Sequence, residues 1–208
     1  MFAGLHIRAN EKYPSTVVLI NQDLKATDTY TFKTDTELYA LINDLSPTIL
    51  GIGSPTSLPL GLCCLEPNCN CQYAITGNKG RVSEIQMASM SISCFYTTRG
   101  SISKNLIYRS INIYNSLSSS GHKVIETYPH ATKSILFKTK ESSSSKFTNS
   151  QSPTDYPYPF LGSGHSSSWD KNTLNAALSA YTAGLYHSEL TDSVGDEHEG
   201  LIIIPSLR

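Results

Sequence analysis

The sequence predicts an α/β domain on a mixed sheet, an antiparallel three-strand meander followed by parallel strands, with helices on both faces. Three strand-like runs joined by short polar links precede the first helical pattern, as is typical of a meander. Strand-like and helical runs then alternate, which indicates parallel strands joined by helices. The length of 208 residues fits a single domain spanning 1–208 with a core of its own.

The meander is expected at residues 2–8, 15–22 and 27–33, where apolar and β-branched residues recur at strand spacing. The period then changes to that of a helix in TDTELYALINDLS. Thr34 and Glu37 have the spacing of a capping box, which marks the start of this helix. A short apolar strand, TILGIGSP, follows.

The remaining elements alternate between helix and strand. They are expected as a helix at 80–90, a short strand at 92–98, a helix at 103–117, a strand from 124, a short helix ending at 136, a helix at 169–187 and a strand at 201–205. Two other segments are predicted to be loops. Residues 61–73 are rich in cysteine, and residues 139–168 are rich in Ser and Pro, with aromatic residues that would pin a surface loop.

Composition limits the partners. The formal net charge is −1, so no overall field attracts nucleic acid, and binding to it would need a local basic patch. A protein partner is the alternative. No run reaches the ~18 apolar residues of a membrane span, and the first residues do not form a secretory signal. The odd count of five cysteines fits a reducing interior, so a cytoplasmic location is expected.

Glu126 has an unusual position in the sequence. It directly follows Val124 and Ile125, which begin a strand expected to enter the core. An ionised side chain beside buried residues is costly unless it is paired or binds a metal. The sequence therefore predicts a partner for Glu126.

Seven stretches resemble a prokaryotic domain-of-unknown-function family (number four-two-nine) of predicted nucleases with a ribonuclease H-like fold. In chain order they are AGLHI, GIGSPTSLP, RVSE, YRSI, VIETYPHAT, LNAALSAYTA and EGLIIIP. Their order and approximate spacing carry the resemblance, which covers nearly the whole chain except about residues 139–168. It implies a ribonuclease H-like mixed sheet and a metal-dependent nuclease ancestry.

The family's acidic site transfers to this sequence only in part. Members carry Asp in the first strand, where this chain has His6, and Asp after the fourth strand, where it has Gly53. Members also carry Asp in the last helix, where Asn172 stands here. Glu126 matches the family's Glu in the Glu-x-Tyr-Pro strand. The resemblance thus implies one retained acid of the site.

Two function hypotheses follow. Two-metal phosphodiester hydrolysis needs several carboxylates, so we expect an inactive or weakened binding or assembly module in which His6, Glu126 and Asn172 form a hydrogen-bonded cluster. The alternative is a metal-dependent nuclease acting on DNA or RNA through a non-standard site around Glu126. A divalent metal at Glu126 is disfavoured, because the nitrogen of His6 suits Zn²⁺ or Mn²⁺ better than Mg²⁺.

The sequence CCLEPNCNC suggests a second metal site. Cys63, Cys64, Cys69 and Cys71 supply four thiols, enough for a closed tetrahedral Zn²⁺ site of structural type. The spacing is not that of two Cys-x-x-Cys knuckles, so free thiols and a disulfide remain alternatives. Cys94 is expected in the core.

Basic residues provide candidates for binding. Arg81, Arg99, Lys104 and Arg109 could line a phosphate-binding edge near the strand ends. Plain solvated charges are the alternative interpretation. His130 matches the family's Tyr-Pro-His, which implies a contact with the neighbouring loop or with a substrate phosphate.

Overall fold

The computed structural model of the protein describes residues 1–74, 79–136, 160 and 169–206. The strands in these residues are β1 (Phe2–His6), β2 (Ser15–Ile20), β3 (Ala26–Phe32), β4 (Ile49–Ile52), β5 (Val124–Thr127), β6 (Thr191–Asp196) and β7 (Gly200–Pro205). The helices are α1 (Asp35–Leu45), α2 (Val82–Ser89), α3 (Lys104–Ser119), α4 (Pro129–Leu136) and α5 (Lys171–His187). The α/β class expected from the sequence is confirmed.

The strands form one mixed sheet in the order β3-β2-β1-β4-β5-β7-β6. The first three strands are the expected antiparallel meander. Strands β1, β4, β5 and β7 run parallel, and β6 pairs antiparallel with β7 at the far edge. The carboxyl ends of the four parallel strands therefore lie along the same edge of the sheet, where α/β proteins commonly place their sites.

The sheet differs from the prediction in two places. Strand β6 was not predicted, because its sequence, TDSVGD, is polar and has no apolar alternation. Val194 is the buried residue within it, and the strand forms by pairing with β7. Residues 92–98 were expected to be a strand and are not one. In this segment the Thr97 N–H donates to the side chain of Glu84 rather than to a neighbouring strand.

Helices cover both faces of the sheet. One face packs against α5, with Val18, Ile125 and Leu178 in the same apolar cluster. The other face packs against α1 and α3, and its cluster includes Leu5 and Ile52. Since side chains alternate along a strand, these two clusters define which face each neighbouring residue occupies.

Helix α5 lies unusually close to the sheet because the chain has a glycine where the two meet. A Cβ atom on Gly4 would lie 2.0 Å from the carbonyl oxygen of Ala176 and 2.2 Å from the main-chain nitrogen of Ala180. Both are backbone atoms, so a side chain there would displace the helix. The small residues of LNAALSAYTA thus position α5 over β1 and β4.

The Ser/Pro-rich segment predicted at 139–168 lies outside the described residues, with one exception. Phe160 is fully buried in the cluster beneath α5. Its ring lies 5.4 Å from that of Tyr181, and its carbonyl accepts a hydrogen bond from the Ala26 N–H at 3.0 Å. An aromatic residue of this segment is therefore anchored in the core.

Candidate functional site

The carboxylate of Glu126 is part of a buried ion-pair network. We call this group the Glu126 network; its residues are Thr56, Arg81, Glu84, Thr97 and Glu126. The Glu126 side chain is 4% exposed. Its Oε2 accepts from the Thr56 N–H at 2.8 Å, from the Thr56 hydroxyl at 2.7 Å and from Arg81 Nη1 at 2.8 Å. Its Oε1 accepts from Arg81 Nη2. The partner predicted for this carboxylate is therefore an arginine.

Arg81 is the cation of the network and is 1% exposed. Besides its two bonds to Glu126, its Nε donates to Glu84 Oε1 at 3.1 Å, and its Nη1 also reaches Ser57 Oγ at 3.1 Å. Burial acts to lower the pKa of Arg81, but the carboxylates of Glu126 and Glu84 outweigh it and raise that pKa above its ordinary value. The guanidinium is thus held charged between two carboxylates.

Glu84 is the second carboxylate and is fully buried. It lies at the third position of α2, and its Oε2 accepts from the Arg81 N–H at 3.0 Å, which caps the helix start. It also accepts from the Thr97 N–H at 2.7 Å and the Thr97 hydroxyl at 2.6 Å. These bonds compensate the cost of burying two carboxylates with one guanidinium.

Strand register separates Glu126 from His6. Leu5 pairs with Ile52, and Ile52 pairs with Glu126, so these three share the α1 and α3 face of the sheet. His6 is two residues from Gly4 along β1 and therefore lies on the same face of the sheet. The Cβ position of Gly4 points at α5. Glu126 and His6 therefore project from opposite faces, and the expected His6–Glu126–Asn172 cluster does not form.

His6 and Asn172 do come together beneath the start of α5. Burial lowers the pKa of His6, and Arg8 lowers it further, while Asp170 and a hydrogen bond with the side chain of Asn172 act to raise it. Asp170 caps α5, since its Oδ1 accepts from the Thr173 N–H at 2.8 Å. The carboxylate nearest His6 is thus used as a helix cap.

Gly53 lies at the same edge, where a side chain would be crowded. Its Cβ position is 2.8 Å from Ser179 Oγ and 3.0 Å from Pro129 Cγ. Ser179 is fully buried, and its hydroxyl has no hydrogen-bond partner among the described residues. An aspartate at position 53 would therefore require at least the Ser179 hydroxyl to turn away and would crowd Pro129.

Two of the basic residues predicted to bind phosphate, Arg109 and Lys104, form hydrogen bonds within the protein. Arg109 donates to Asp35 Oδ1 at 2.8 Å, to the Arg8 carbonyl at 2.9 Å and to the Lys33 carbonyl at 2.6 Å. Lys104 donates to Glu66 at 2.7 Å on the surface. The guanidinium of Arg109 thus joins the end of β1 to the start of α1.

His130 lies in the first turn of α4 and is exposed. Partial burial lowers its pKa, and the charges of Lys133 and Lys171 lower it further. Its ring lies edge-on to Tyr128, with 6.0 Å between the centroids. His130 is therefore a neutral imidazole beside two lysines at neutral pH.

The four cysteines of the predicted metal site converge. We call Cys63, Cys64, Cys69 and Cys71 the Cys cluster; their sulfur atoms all lie within 4.8 Å of one another. No disulfide joins them, and the Cys63 and Cys69 sulfurs are 3.5 Å apart. In a tetrahedral zinc tetrathiolate with Zn–S bonds of about 2.3 Å, the sulfurs are about 3.8 Å apart. This arrangement could hold a metal such as zinc.

The thiols of the cluster differ in acidity. Burial acts to raise the pKa of Cys71, but the N–H groups of Cys63 and Cys64 and the neighbouring thiols bring it down to about 6. Hydrogen bonds with Cys69, Cys71 and Cys64 raise the pKa of Cys63 to about 12. These contacts thus favour the thiolate of Cys71, the form that binds metals.

The loop that carries the cluster is anchored on both sides. Leu65 is fully buried; its N–H donates to Tyr108 Oη at 2.6 Å, and its carbonyl accepts from the Gly100 N–H at 2.7 Å. Tyr73 Oη accepts from the Arg99 N–H at 3.2 Å. The cluster therefore connects the loop after β4 with α3 and with the segment before α3. Cys94, expected in the core, is half-buried, and its thiol donates to the Glu84 carbonyl at 3.2 Å.

Three carboxylates form contacts that the sequence patterns did not predict: Glu84, Glu199 and Asp35. Glu199 is 4% exposed and accepts from the Leu60 N–H at 2.7 Å and from the Val82 N–H. Only Glu84 left a local signal, because it lies three residues after Arg81 at the start of a helix. The other contacts join distant parts of the chain.

Comparison of the chain with models of protein families, with curated proteins and with solved structures finds no match. Every helix within 1–74, 79–136 and 169–206 falls short of the length and apolar character that a membrane crossing needs.

Proposed function

We propose that this chain is a ribonuclease H-like domain that has lost metal-dependent nuclease chemistry and acts as a binding or assembly module. The observation that carries the proposal is the guanidinium of Arg81. It bonds both carboxylate oxygens of Glu126 inside the protein, where a catalytic divalent cation would have to bind. The resemblance to family four-two-nine supplies the ancestry.

The other residues at the carboxyl ends of the parallel strands support the same conclusion. A two-metal centre needs several carboxylates to bind and screen its four positive charges. His6 and Asn172 supply no carboxylate, Gly53 supplies no side chain, and Asp170 is a helix cap. The sheet, with an antiparallel meander beside parallel strands, is the arrangement that the ribonuclease H-like expectation requires.

The alternative is a nuclease that uses Glu126, and an activity assay separates the two. We expect no Mg²⁺- or Mn²⁺-dependent cleavage of single-stranded DNA, duplex DNA or RNA by the natural protein. The His6→Asp/Asn172→Asp variant should also be inactive, because Glu126 stays bound to Arg81 on the other face. Metal-dependent cleavage by the natural protein that disappears in Glu126→Gln would overturn the proposal.

We further infer that the Cys cluster binds one structural Zn²⁺. Four thiolates complete a tetrahedral shell, so no position remains for water or substrate, as in sites that stabilise folds. Free thiols persist in a reducing compartment, which agrees with the expected cytoplasmic location. The zinc would hold the loop of residues 61–73 against α3.

Elemental analysis tests the zinc site. We expect about one zinc per chain in protein purified without chelator, lost in Cys69→Ser/Cys71→Ser. Cys94→Ser is the matched control, because its thiol lies outside the cluster, and it should keep the metal. A natural protein that is folded without metal, with free thiols or a disulfide shown by mass, would contradict the inference.

A protein partner is favoured over nucleic acid for the proposed module. The guanidinium groups of Arg81 and Arg109 are used inside the protein, and Lys104 is paired with Glu66. Anisotropy of labelled oligonucleotides at two salt concentrations tests this, because phosphate binding depends steeply on salt. We expect no specific binding; tight, salt-sensitive binding would support nucleic acid instead.

A further inference from the structure

Arg99 lies against the Cys cluster without a carboxylate partner. Its Nη2 is 3.6 Å from Cys71 Sγ, and its main-chain N–H is held by Tyr73 Oη. Its Nε is buried and has no hydrogen-bond partner among the described residues. None of the ion pairs formed within the described part of the chain involves it.

This placement is best satisfied when Cys71 is a thiolate. A guanidinium that loses water needs a charged or strongly accepting neighbour, and a protonated thiol is a weak acceptor. Four thiolates with one Zn²⁺ carry a net charge of −2, and that charge would match the cation. The contact of Nη2 with Cys71 Sγ and the unpartnered Nε thus fit a negatively charged, metal-bound cluster.

Lys104 is another cation near the Cys cluster, but unlike Arg99 it has a carboxylate partner. Lys104 forms an ion pair with Glu66 at 2.7 Å, so that pair adds no net charge. Arg99 is therefore the cation placed to offset the charge of a loaded site.

We propose that Arg99 is a positioning residue of the zinc site, which orients the Cys71 thiolate and offsets the negative charge of the metal-bound cluster. This inference rests on the zinc site proposed above. Outer-shell partners of metal ligands commonly contribute about 10- to 100-fold to metal affinity.

Cobalt(II) titration of the full chain tests the role, because Co²⁺ in a tetrahedral thiolate site gives charge-transfer and ligand-field absorption bands. The proteins compared are the natural chain, Arg99→Gln, Arg99→Lys and the control Lys104→Gln. Zn²⁺ affinity follows from displacement of the cobalt. Urea unfolding of each metal-free protein is measured in parallel.

We expect Arg99→Gln to weaken Zn²⁺ and Co²⁺ binding on the order of tenfold and to shift the charge-transfer band. Arg99→Lys should restore most of the affinity, and Lys104→Gln should leave it unchanged. The metal-free Arg99→Gln protein should be as stable as the metal-free natural protein, since the guanidinium acts on the loaded site.

Unchanged affinity in Arg99→Gln, with a normal cobalt spectrum for the natural protein, would overturn this inference and leave the zinc site intact. Equal loss of stability with and without metal would reduce Arg99 to a structural contact and also overturn it. A natural protein without a thiolate–cobalt spectrum would overturn the zinc proposal, and the role of Arg99 with it.

Discussion

The Glu126 network and the Cys cluster both contain groups that bind metals, but they differ in how those groups are satisfied. In the network, Arg81 and the two Thr residues supply donors to both carboxylates inside the core. In the cluster, the sulfurs lie partly exposed, mainly beside one another and one guanidinium. The first group is complete without a metal, whereas the second is arranged around a site that a metal would fill.

The difference teaches that a buried acid is a weak indication of catalysis. A buried carboxylate must be compensated, and an arginine does this as well as a cation can. Once Arg81 forms both bonds, a metal at Glu126 would have to displace it and leave a guanidinium buried without a partner. Four converging thiols have no such internal compensation.

Removal of the network's cation should have the largest effect. Arg81→Met keeps most of the side-chain volume but leaves Glu84 and Glu126 buried without their counter-ion. We expect a loss of about 3–5 kcal/mol in the free energy of unfolding, measured by urea denaturation. In an Arg81→Met background, Glu126→Gln should recover part of that loss, because it removes one unpaired charge.

Lys104→Met is the matched control for this prediction. It breaks an ion pair whose side chains are about one-third to one-half exposed, and such pairs contribute about 0–1 kcal/mol. Equal losses for Arg81→Met and Lys104→Met would show that the Glu126 network is not the stronger element.

Removal of the proposed zinc should have the next largest effect. Ligand binding to the folded state adds about 2.7 kcal/mol when free metal is 100-fold above its dissociation constant. A chelator should therefore lower the melting temperature of the natural protein and of Cys94→Ser, but not that of Cys69→Ser/Cys71→Ser. A chelator effect of equal size in the double variant would place the metal elsewhere.

The smallest effect should be the loss of folding stability that protonation of His6 causes as the pH falls. Because burial, aided by Arg8, lowers the pKa of His6 below its ordinary value of 6.5, the unfolded chain takes up the proton first as pH falls. The contribution of His6 to stability is thus complete above pH 6.5 and decreases below it. Denaturation from pH 7.5 to 5 should show a weaker pH dependence in His6→Gln than in the natural protein.

His198→Gln is the control for the pH experiment, because His198 is exposed in the β6–β7 turn. It should keep the natural pH dependence. A variant series in which His6→Gln and His198→Gln behave alike would contradict the assignment to His6.

Local patterns in the sequence determined most of the elements. The capping box of Thr34 and Glu37 is present at the start of α1, and the apolar spacing of residues 103–117 gives α3 (Lys104–Ser119). These predictions succeed because caps and helical faces depend on residues three or four positions apart. The Cys cluster could also be predicted from the sequence, since its four cysteines lie within nine positions.

The partners of the candidate groups were decided only by the tertiary structure. Glu126 and Arg81 are 45 residues apart in the chain, and Glu199 and Val82 are 117 apart; nothing local links them. The face that Glu126 occupies depends on the register of β1, β4 and β5, and a shift of one residue would have placed it on the same face as His6. The sequence by itself determined that Glu126 is buried and needs compensation, because the strand around it is apolar. Which group compensates it is a matter of long-range packing, and here that group is an arginine.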